Sequence, residues 1–148
     1  DTKRADLDYT YSPDINGRFK ITAVGADDVN FEADYINVHF SLDIPKIEID
    51  ERIFVYGNFN NFALENDNEL FFDEESGNYI TTIKLKQGFY NYKYVILKKD
   101  GVIDEGRISG NFWQTENNYK VIVYYRDLGA RNDRVVGFSE VSSSNITN

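Results

Sequence analysis

The stretch from Arg52 to Tyr94 constrains the fold more than any other part of the chain. It opens with the apolar run Ile53–Tyr56, and near its end every second residue from Tyr90 to Ile96 is aromatic or apolar. This alternation predicts a β-strand, because successive strand side chains point to opposite faces. Between them we expect a short strand, an acidic turn and a longer strand, over 70–72, 73–78 and 79–86. The stretch therefore predicts one sheet of a β-sandwich with an aromatic inner face.

A corner follows the first of these strands, at Gly57-Asn58-Phe59-Asn60-Asn61-Phe62. We expect Gly57 to take backbone angles that are closed to other residues. Phe59 and Phe62 then bracket two asparagines, a residue type that tolerates turn geometry.

These motifs resemble those of the glycogen-binding and early-set immunoglobulin-like modules, whose pattern is Gly-x-Phe-Asn-x-Trp, a hairpin, Gly-x-x-x-Tyr-Lys-Phe and Asp-Gly. The matching segments are Gly57–Phe62, Gly88–Tyr94 and Asp100-Gly101. The resemblance implies an all-β fold, an antiparallel immunoglobulin-like (early-set) β-sandwich.

In those modules two tryptophans stack on a glucan. Phe62 takes the place of the first, whereas Val102 and Ile103 stand where the second is expected. The resemblance implies a candidate carbohydrate platform made of Phe62, Lys93, Asn117 and Asn118. Because one ring is smaller and the other is absent, we expect no tight binding of maltodextrins.

Composition limits the function classes. The chain has 148 residues, which suit one domain or a domain with an arm, and its net charge is −9. A nucleic-acid-binding protein would normally show a basic patch, so nucleic acid is not an expected partner. The chain has no cysteine, which excludes disulfides and thiol catalysis. No apolar run approaches the roughly 20 residues of a membrane span.

We expect three segments along the chain. Residues 1–30 form an N-terminal arm or hairpin with strands over 7–11 and 18–24, residues 31–141 form the β-sandwich, and residues 142–148 form a disordered tail. No segment has a convincing helical pattern. The chain begins at Asp1 and contains no methionine, from which we expect a processed or excised part of a larger protein.

The clearest strand runs from Asp34 to Ile44, with apolar residues at every second position. That alternation predicts a half-buried antiparallel strand. We expect one core that contains Ile36, Val38, Phe40, Leu42, Val55, Tyr92, Tyr94 and Val121.

The order of short motifs along nearly the whole chain resembles the C-terminal part of the type IX secretion system plug protein family of Bacteroidetes. The motifs include Asn16–Phe19, Glu32–Leu42, Lys86–Tyr92, Thr115–Val121 and Tyr124–Arg126. The resemblance implies a periplasmic, outer-membrane-associated binding protein that docks on a translocon. The alternative function is a carbohydrate-binding module of the glycogen-binding type.

Catalysis is not expected. His39, the single histidine, lies on the polar face of a predicted strand, and nothing in its spacing to Ser41 supports a catalytic triad. The acidic run 73–75 lacks the alternating ligands of a calcium loop, so we interpret it as a hairpin tip. We expect no metal and no cofactor.

Partner contact is expected in the last third of the chain. Trp113, beside Phe112, lies in a turn-rich loop, where it would either anchor a partner or cap the sandwich. Residues 118–126 are apolar on both faces of a predicted strand. With the other face turned inward, Ile122, Tyr124 and Arg126 form a docking surface, unless the N-terminal arm covers them.

Overall fold

The computed structural model describes residues 1–10, 14–15 and 17–143, and it confirms the predicted all-β, antiparallel fold. The strands of these residues are β1 (Phe19–Ile21), β2 (Tyr35–Leu42), β3 (Arg52–Tyr56), β4 (Glu69–Asp73), β5 (Asn78–Lys86), β6 (Gly88–Tyr90), β7 (Lys93–Leu97), β8 (Ile103–Asp104), β9 (Asn118–Tyr125) and β10 (Arg134–Ser142). Within these residues, helical structure is limited to short segments, namely α1 (Val29–Glu32) and the 3₁₀ turns Arg4–Asp6, Asn58–Asn60 and Asn66–Asn68.

The chain divides into two compact units. The first unit is Asp1–Asn111, and the second unit begins at Phe112. These boundaries differ from the predicted segments 1–30, 31–141 and 142–148, because β9 and β10 form a two-stranded sheet of their own. Of the predicted tail, residues 144–148 lie outside the described residues.

The main sheet of the first unit has six strands in the order β2-β5-β4-β3-β7-β8. β4 joins its two halves: Glu69 and Leu70 pair with β3, whereas the residues from Phe71 to Asp73 pair with β5. Side chains from β2 and β5 share one buried cluster with side chains from β3 and β7. The two halves therefore face each other as the layers of a β-sandwich.

The core confirms part of the predicted set. Four predicted residues lie in the buried cluster and Val38 packs partly buried against it; the four are Phe40, Leu42, Val55 and Tyr94. The prediction is wrong for three others, whose exposed fractions are 52% for Ile36, 42% for Tyr92 and 57% for Val121. Strand alternation predicts which residues share a face, but an opposing layer decides whether that face is buried.

Each of these three exposures has a local reason. Ile36 lies near the beginning of β2, whereas only the second half of β2 contributes fully buried residues. Tyr92 lies between β6 and β7, where the predicted continuous strand is interrupted. Val121 lies on β9, whose only hydrogen-bonded neighbour among the described residues is β10.

Residues 1–30 are predicted to form an arm or a hairpin, and their described residues do not pair with one another as a hairpin. Residues 7–10 have no strand, and β1 pairs instead with β6, with Lys20 opposite Phe89. The side chain of Asn91 holds the neighbouring turn, because its Oδ1 accepts the backbone N–H groups of Ile15 at 2.8 Å and Gly17 at 3.2 Å. The predicted hairpin tip includes residues 11–13 and 16, which lie outside the described residues.

One helical turn appears where none was expected. Asp28 begins α1 as its N-cap and accepts the backbone N–H of Asn30 at 2.9 Å. The Glu32 carboxylate accepts the backbone N–H of Asp28 at 2.7 Å, which closes the turn from its other end. Such reciprocal capping stabilises a helix too short to form by propensity.

Candidate functional site

The second unit is a β-hairpin in which each strand presents apolar residues on both faces. The register pairs Tyr119 with Val141 and Ile122 with Phe138, with a β-bulge at Val136. Directly opposed residues of an antiparallel pair lie on the same face. One face, called face A, therefore contains Tyr119, Val121, Val123, Tyr125 and Val141, and the other, face B, contains Ile122, Tyr124, Val135 and Phe138.

Both faces of this hairpin are exposed. On face A the exposed fractions range from 49% for Val123 to 57% for Val121, and on face B from 45% for Ile122 to 60% for Tyr124 and Phe138. The combined apolar side-chain area is on the order of 1,000 Å², near what each partner contributes to a standard protein interface. The prediction that one face of this strand turns into a core is therefore wrong.

The charges of the hairpin neutralise one another. Lys120 pairs with Glu140, Arg126 with Asp133, and Arg134 with Asp127. Residues 112–148 contain four basic and four acidic residues, so the net charge of −9 belongs to residues 1–111. The hairpin thus offers an apolar surface without a net charge to be matched.

The contact residues predicted from the sequence all belong to the second unit. Trp113 is 89% exposed, whereas Phe112 is half-buried. The exposure of Trp113 favours an anchoring role over a packing role. Arg126 binds Asp133 through Nε at 2.6 Å and Nη2 at 3.1 Å, and these hydrogen bonds raise the pKa of the guanidinium. Arg126 therefore stabilises the end of the hairpin rather than facing outward unpaired.

Sequence reasoning missed the contribution of β10. Val135 and Phe138 complete face B, and Val141 extends face A. The sequence did contain a signal for these residues, because the β10 segment, like the β9 segment, has apolar residues on both faces of the strand. A strand that is apolar on both sides usually lies in the middle of a buried sheet, whereas β9 and β10 are exposed.

The corner at 57–62 brings part of the predicted carbohydrate platform together. The expectation for Gly57 is wrong: its φ of −172° is ordinary extended backbone. Glycine is needed there for space, since an added Cβ would lie 2.7 Å from the Phe59 ring and 2.9 Å from the Asn91 carbonyl oxygen. The positive φ values instead fall on Asn61, at 55°, and on Phe62, at 59°.

A left-handed backbone is unusual for a bulky residue and carries a cost of order 1 kcal/mol or more. Here it presents the Phe62 ring beside Tyr56, with 5.2 Å between ring centroids and 51° between ring planes. Lys93 Nζ lies 5.8 Å from the centroid of the Tyr56 ring and forms an ion pair with Glu105. Phe62 and Lys93 thus converge on one aromatic ring.

Asn117 and Asn118 belong to the second unit. The Asn117 backbone N–H donates to Ser143 Oγ at 2.7 Å, and its side chain donates to the Thr115 carbonyl oxygen at 3.0 Å. Asn118 is the first residue of β9.

The candidate groups for catalysis and metal binding have structural partners. His39 Nδ1 lies 2.8 Å from Thr82 Oγ1, and Ser41 Oγ accepts from Asn78 at 3.1 Å, so the two residues do not form a nucleophile–base pair. Asp73 is the last residue of β4, and its hydrogen bonds with Ser76 in the following turn lower its pKa. Glu74 and Glu75 lie in that turn between β4 and β5, as expected. Across the described part of the chain, no group of three or more His, Asp or Glu side chains is arranged to hold a metal ion.

No helix among the described residues has the length and apolar character needed to span a membrane.

Comparison with known proteins shows a likeness to a solved structure. The chain is similar to a hypothetical protein from Parabacteroides merdae ATCC 43184, whose crystal structure matches 96% of this chain with 36% sequence identity and a TM-score of 0.78. The chain spans 36% of the length of that protein. No protein-family model matches the chain. The search of curated proteins also found no match.

Proposed function

We propose that this chain is a non-catalytic interaction module that docks on a partner protein through the β9–β10 hairpin. The observation that carries the proposal is the exposure of apolar residues on both faces of that hairpin. An isolated two-stranded ribbon is at best marginally stable in water. A partner that covers these faces would stabilise the hairpin and remove its apolar area from water.

The partner is a protein that offers an apolar cleft rather than a charged surface. Three ion pairs already neutralise most of the charges on the hairpin, so a partner gains little from opposite charge. The exposed ring of Trp113 precedes β9 and supplies the kind of large anchor that dominates binding energy in many interfaces.

The parent protein in this proposal is a periplasmic, outer-membrane-associated secretion component, and the partner is an outer-membrane translocon. The support is the resemblance to the type IX secretion plug family, together with the likeness to a Bacteroidetes protein. The docking role and the compartment are therefore proposed together.

Replacing Ile122 and Tyr124 together by serine should weaken docking without unfolding the protein. Both side chains are already about half exposed, so we expect the melting temperature to fall by no more than about 4 °C. Binding to a detergent-solubilised outer-membrane translocon should weaken at least about tenfold, because face B loses its two central apolar groups. Biolayer interferometry and thermal unfolding measure the two effects.

The matched control replaces Phe71 and Ile80 by serine, since these residues are also exposed and lie opposite each other on β4 and β5. The control should bind as well as the unaltered chain. Retained binding by the Ile122 and Tyr124 variant would refute docking through face B, and a fall of several kcal/mol in stability would show that face B is packed core.

A second candidate function, carbohydrate binding, is favoured by the exposed Phe62 ring beside Tyr56 and Lys93. The two rings are tilted rather than coplanar and Lys93 is already paired, so we expect the dissociation constant for maltoheptaose to be about 1 mM or weaker. Isothermal titration calorimetry measures it, with Phe62→Ala as the test variant and Phe71→Ala as the control. Micromolar affinity that is lost only in Phe62→Ala would make carbohydrate binding the leading function.

A further inference from the structure

Among the residues that the structure describes, β2 has one side without a partner strand. It is an end strand of the six-stranded sheet, and its other side pairs with β5. The backbone N–H of Gln87 donates to the Asp34 carbonyl oxygen at 2.7 Å. In an antiparallel ladder, hydrogen-bonded and non-hydrogen-bonded pairs alternate. The even-numbered residues of β2 therefore bind β5, and the odd-numbered residues direct their backbone groups to the unpaired side.

The first residues of the chain already use this side of β2. The backbone nitrogen of Asp1 donates to the Ser41 carbonyl oxygen at 2.7 Å, and the Asp43 N–H donates to the Asp1 carbonyl oxygen at 2.8 Å. Thr2 forms a parallel bridge with Asp43. One end of the edge of β2 thus accepts an added extended segment.

The rest of this edge is left open. The N–H and C=O groups of Asn37 and His39, and the N–H of Ser41, have no hydrogen-bond partner among the described residues. Unpaired backbone groups in a row form a template on which another extended segment can pair.

An aromatic cleft of about 440 Å³ lies beside this open edge. Its lining includes Phe40 and Tyr92, whose rings meet edge to face, and Phe59 and Tyr90, which do the same. The Tyr92 hydroxyl donates to Asp1, and the Tyr90 hydroxyl donates to the Lys86 carbonyl oxygen. With these hydroxyls occupied, the cleft offers its ring faces, which suit an apolar side chain.

From these observations, we propose that the open edge of β2 is a strand-addition site for an extended, basic peptide segment of a partner protein. Backbone groups of the segment pair with Asn37, His39 and Ser41, and its apolar residues, at alternate positions, enter the aromatic cleft. This site lies in the first unit and goes beyond docking through the β9–β10 hairpin.

The charge of the first unit selects a basic segment. Residues 1–111 carry the whole net charge of −9. Asp34 and Asp43 flank the two ends of β2, and Asp1 lines the cleft. Lysine or arginine residues that alternate with the apolar residues would point away from the cleft, and the net negative charge of the first unit attracts them, whereas it would repel acidic residues.

The test uses a synthetic peptide, acetyl-Lys-Val-Lys-Phe-Lys-Val-Lys-amide, and the full chain. We expect the peptide to slow amide hydrogen exchange of Asn37, His39 and Ser41 at least about tenfold, because strand addition gives these groups hydrogen-bonded partners. The same peptide with N-methylated backbone at alternate residues should give no protection, since it cannot pair along the edge.

Two variants of His39 distinguish the contribution of its backbone N–H to peptide binding from the contribution of its side chain. His39→Pro removes one N–H from the open edge, where proline is tolerated, and His39→Ala keeps that N–H. Peptide binding should weaken about tenfold in His39→Pro and stay unchanged in His39→Ala. Thermal unfolding of both variants shows whether each is folded, and the N-methylated peptide tests pairing on the unaltered chain independently.

Four results would overturn the proposal. One is the absence of protection at His39 and Ser41 with saturating peptide. Another is equal loss of binding in both His39 variants. The third is self-association that protects the same amides without peptide, which would assign the edge to a second copy of the chain. Protection confined to β9 and β10 would also count against it and would leave docking through the hairpin intact.

Discussion

Replacing Leu42 by alanine should lower the free energy of unfolding by about 3 to 4 kcal/mol. Leu42 is fully buried, and it packs in the cluster that joins the two layers of the sandwich. The substitution removes apolar contacts and leaves a cavity that the surrounding strands only partly fill. Urea unfolding followed by circular dichroism measures the change, with the slope of the transition expected to stay constant.

The matched control is Ile36→Ala on the same strand. The alternating pattern assigns Ile36 and Leu42 to the same face, but Ile36 is 52% exposed. We expect Ile36→Ala to lower the free energy of unfolding by less than about 1 kcal/mol, because little apolar area is lost from the core. Equal effects of the two substitutions would contradict the assignment of the core to the second half of β2.

Asn68→Ala should lower the free energy of unfolding by about 3 kcal/mol, although the residue is polar. Asn68 is 2% exposed, and its side-chain nitrogen donates to the carbonyl oxygens of Val55 at 2.7 Å and Ala63 at 3.1 Å. Its Oδ1 accepts the backbone N–H of Glu65 at 2.9 Å. Alanine would leave these buried backbone groups without partners, which costs more than the loss of the hydrogen bonds alone.

Asn66→Ala is the control for this prediction. Asn66 lies in the same 3₁₀ turn but is exposed, and Arg52 donates to its side-chain oxygen at a longer distance, 3.3 Å. We expect a change of no more than about 0.5 kcal/mol, as for most surface substitutions. Chemical denaturation of both variants measures the two free energies of unfolding. A small effect of Asn68→Ala would show that the hydrogen bond from Asn68 to Val55 of β3 does not stabilise the fold.

The candidate docking site was only partly predictable. The apolar residues on both sides of 118–126 indicated a surface that contacts a partner protein. Such a surface must be exposed, and Ile122, Tyr124 and Trp113 are exposed. The pattern did not show that β9 pairs only with β10 in the described part of the chain, nor that Tyr119 and Val121 are exposed as well. Strand pairing links residues far apart in the chain, so periodicity within one strand cannot reveal it.

The strand-addition edge also depended on the structure. Asn37, His39 and Ser41 form the polar face of the predicted strand, and their side chains gave no indication of the cleft beside them. That cleft exists because Phe59, Tyr90 and Tyr92 reach the edge of β2 from three different turns and strands.

The sequence by itself determined the class of fold and most of the strands. The alternation in 34–44 and 79–86, and the turn residues between them, are local signals, because a strand places successive side chains on opposite faces wherever it pairs. Only the tertiary structure decided which of these faces are covered. It buried Phe40 and Asn68 and left Ile36 and Val121 exposed, since burial depends on the layer that long-range pairing brings opposite each residue.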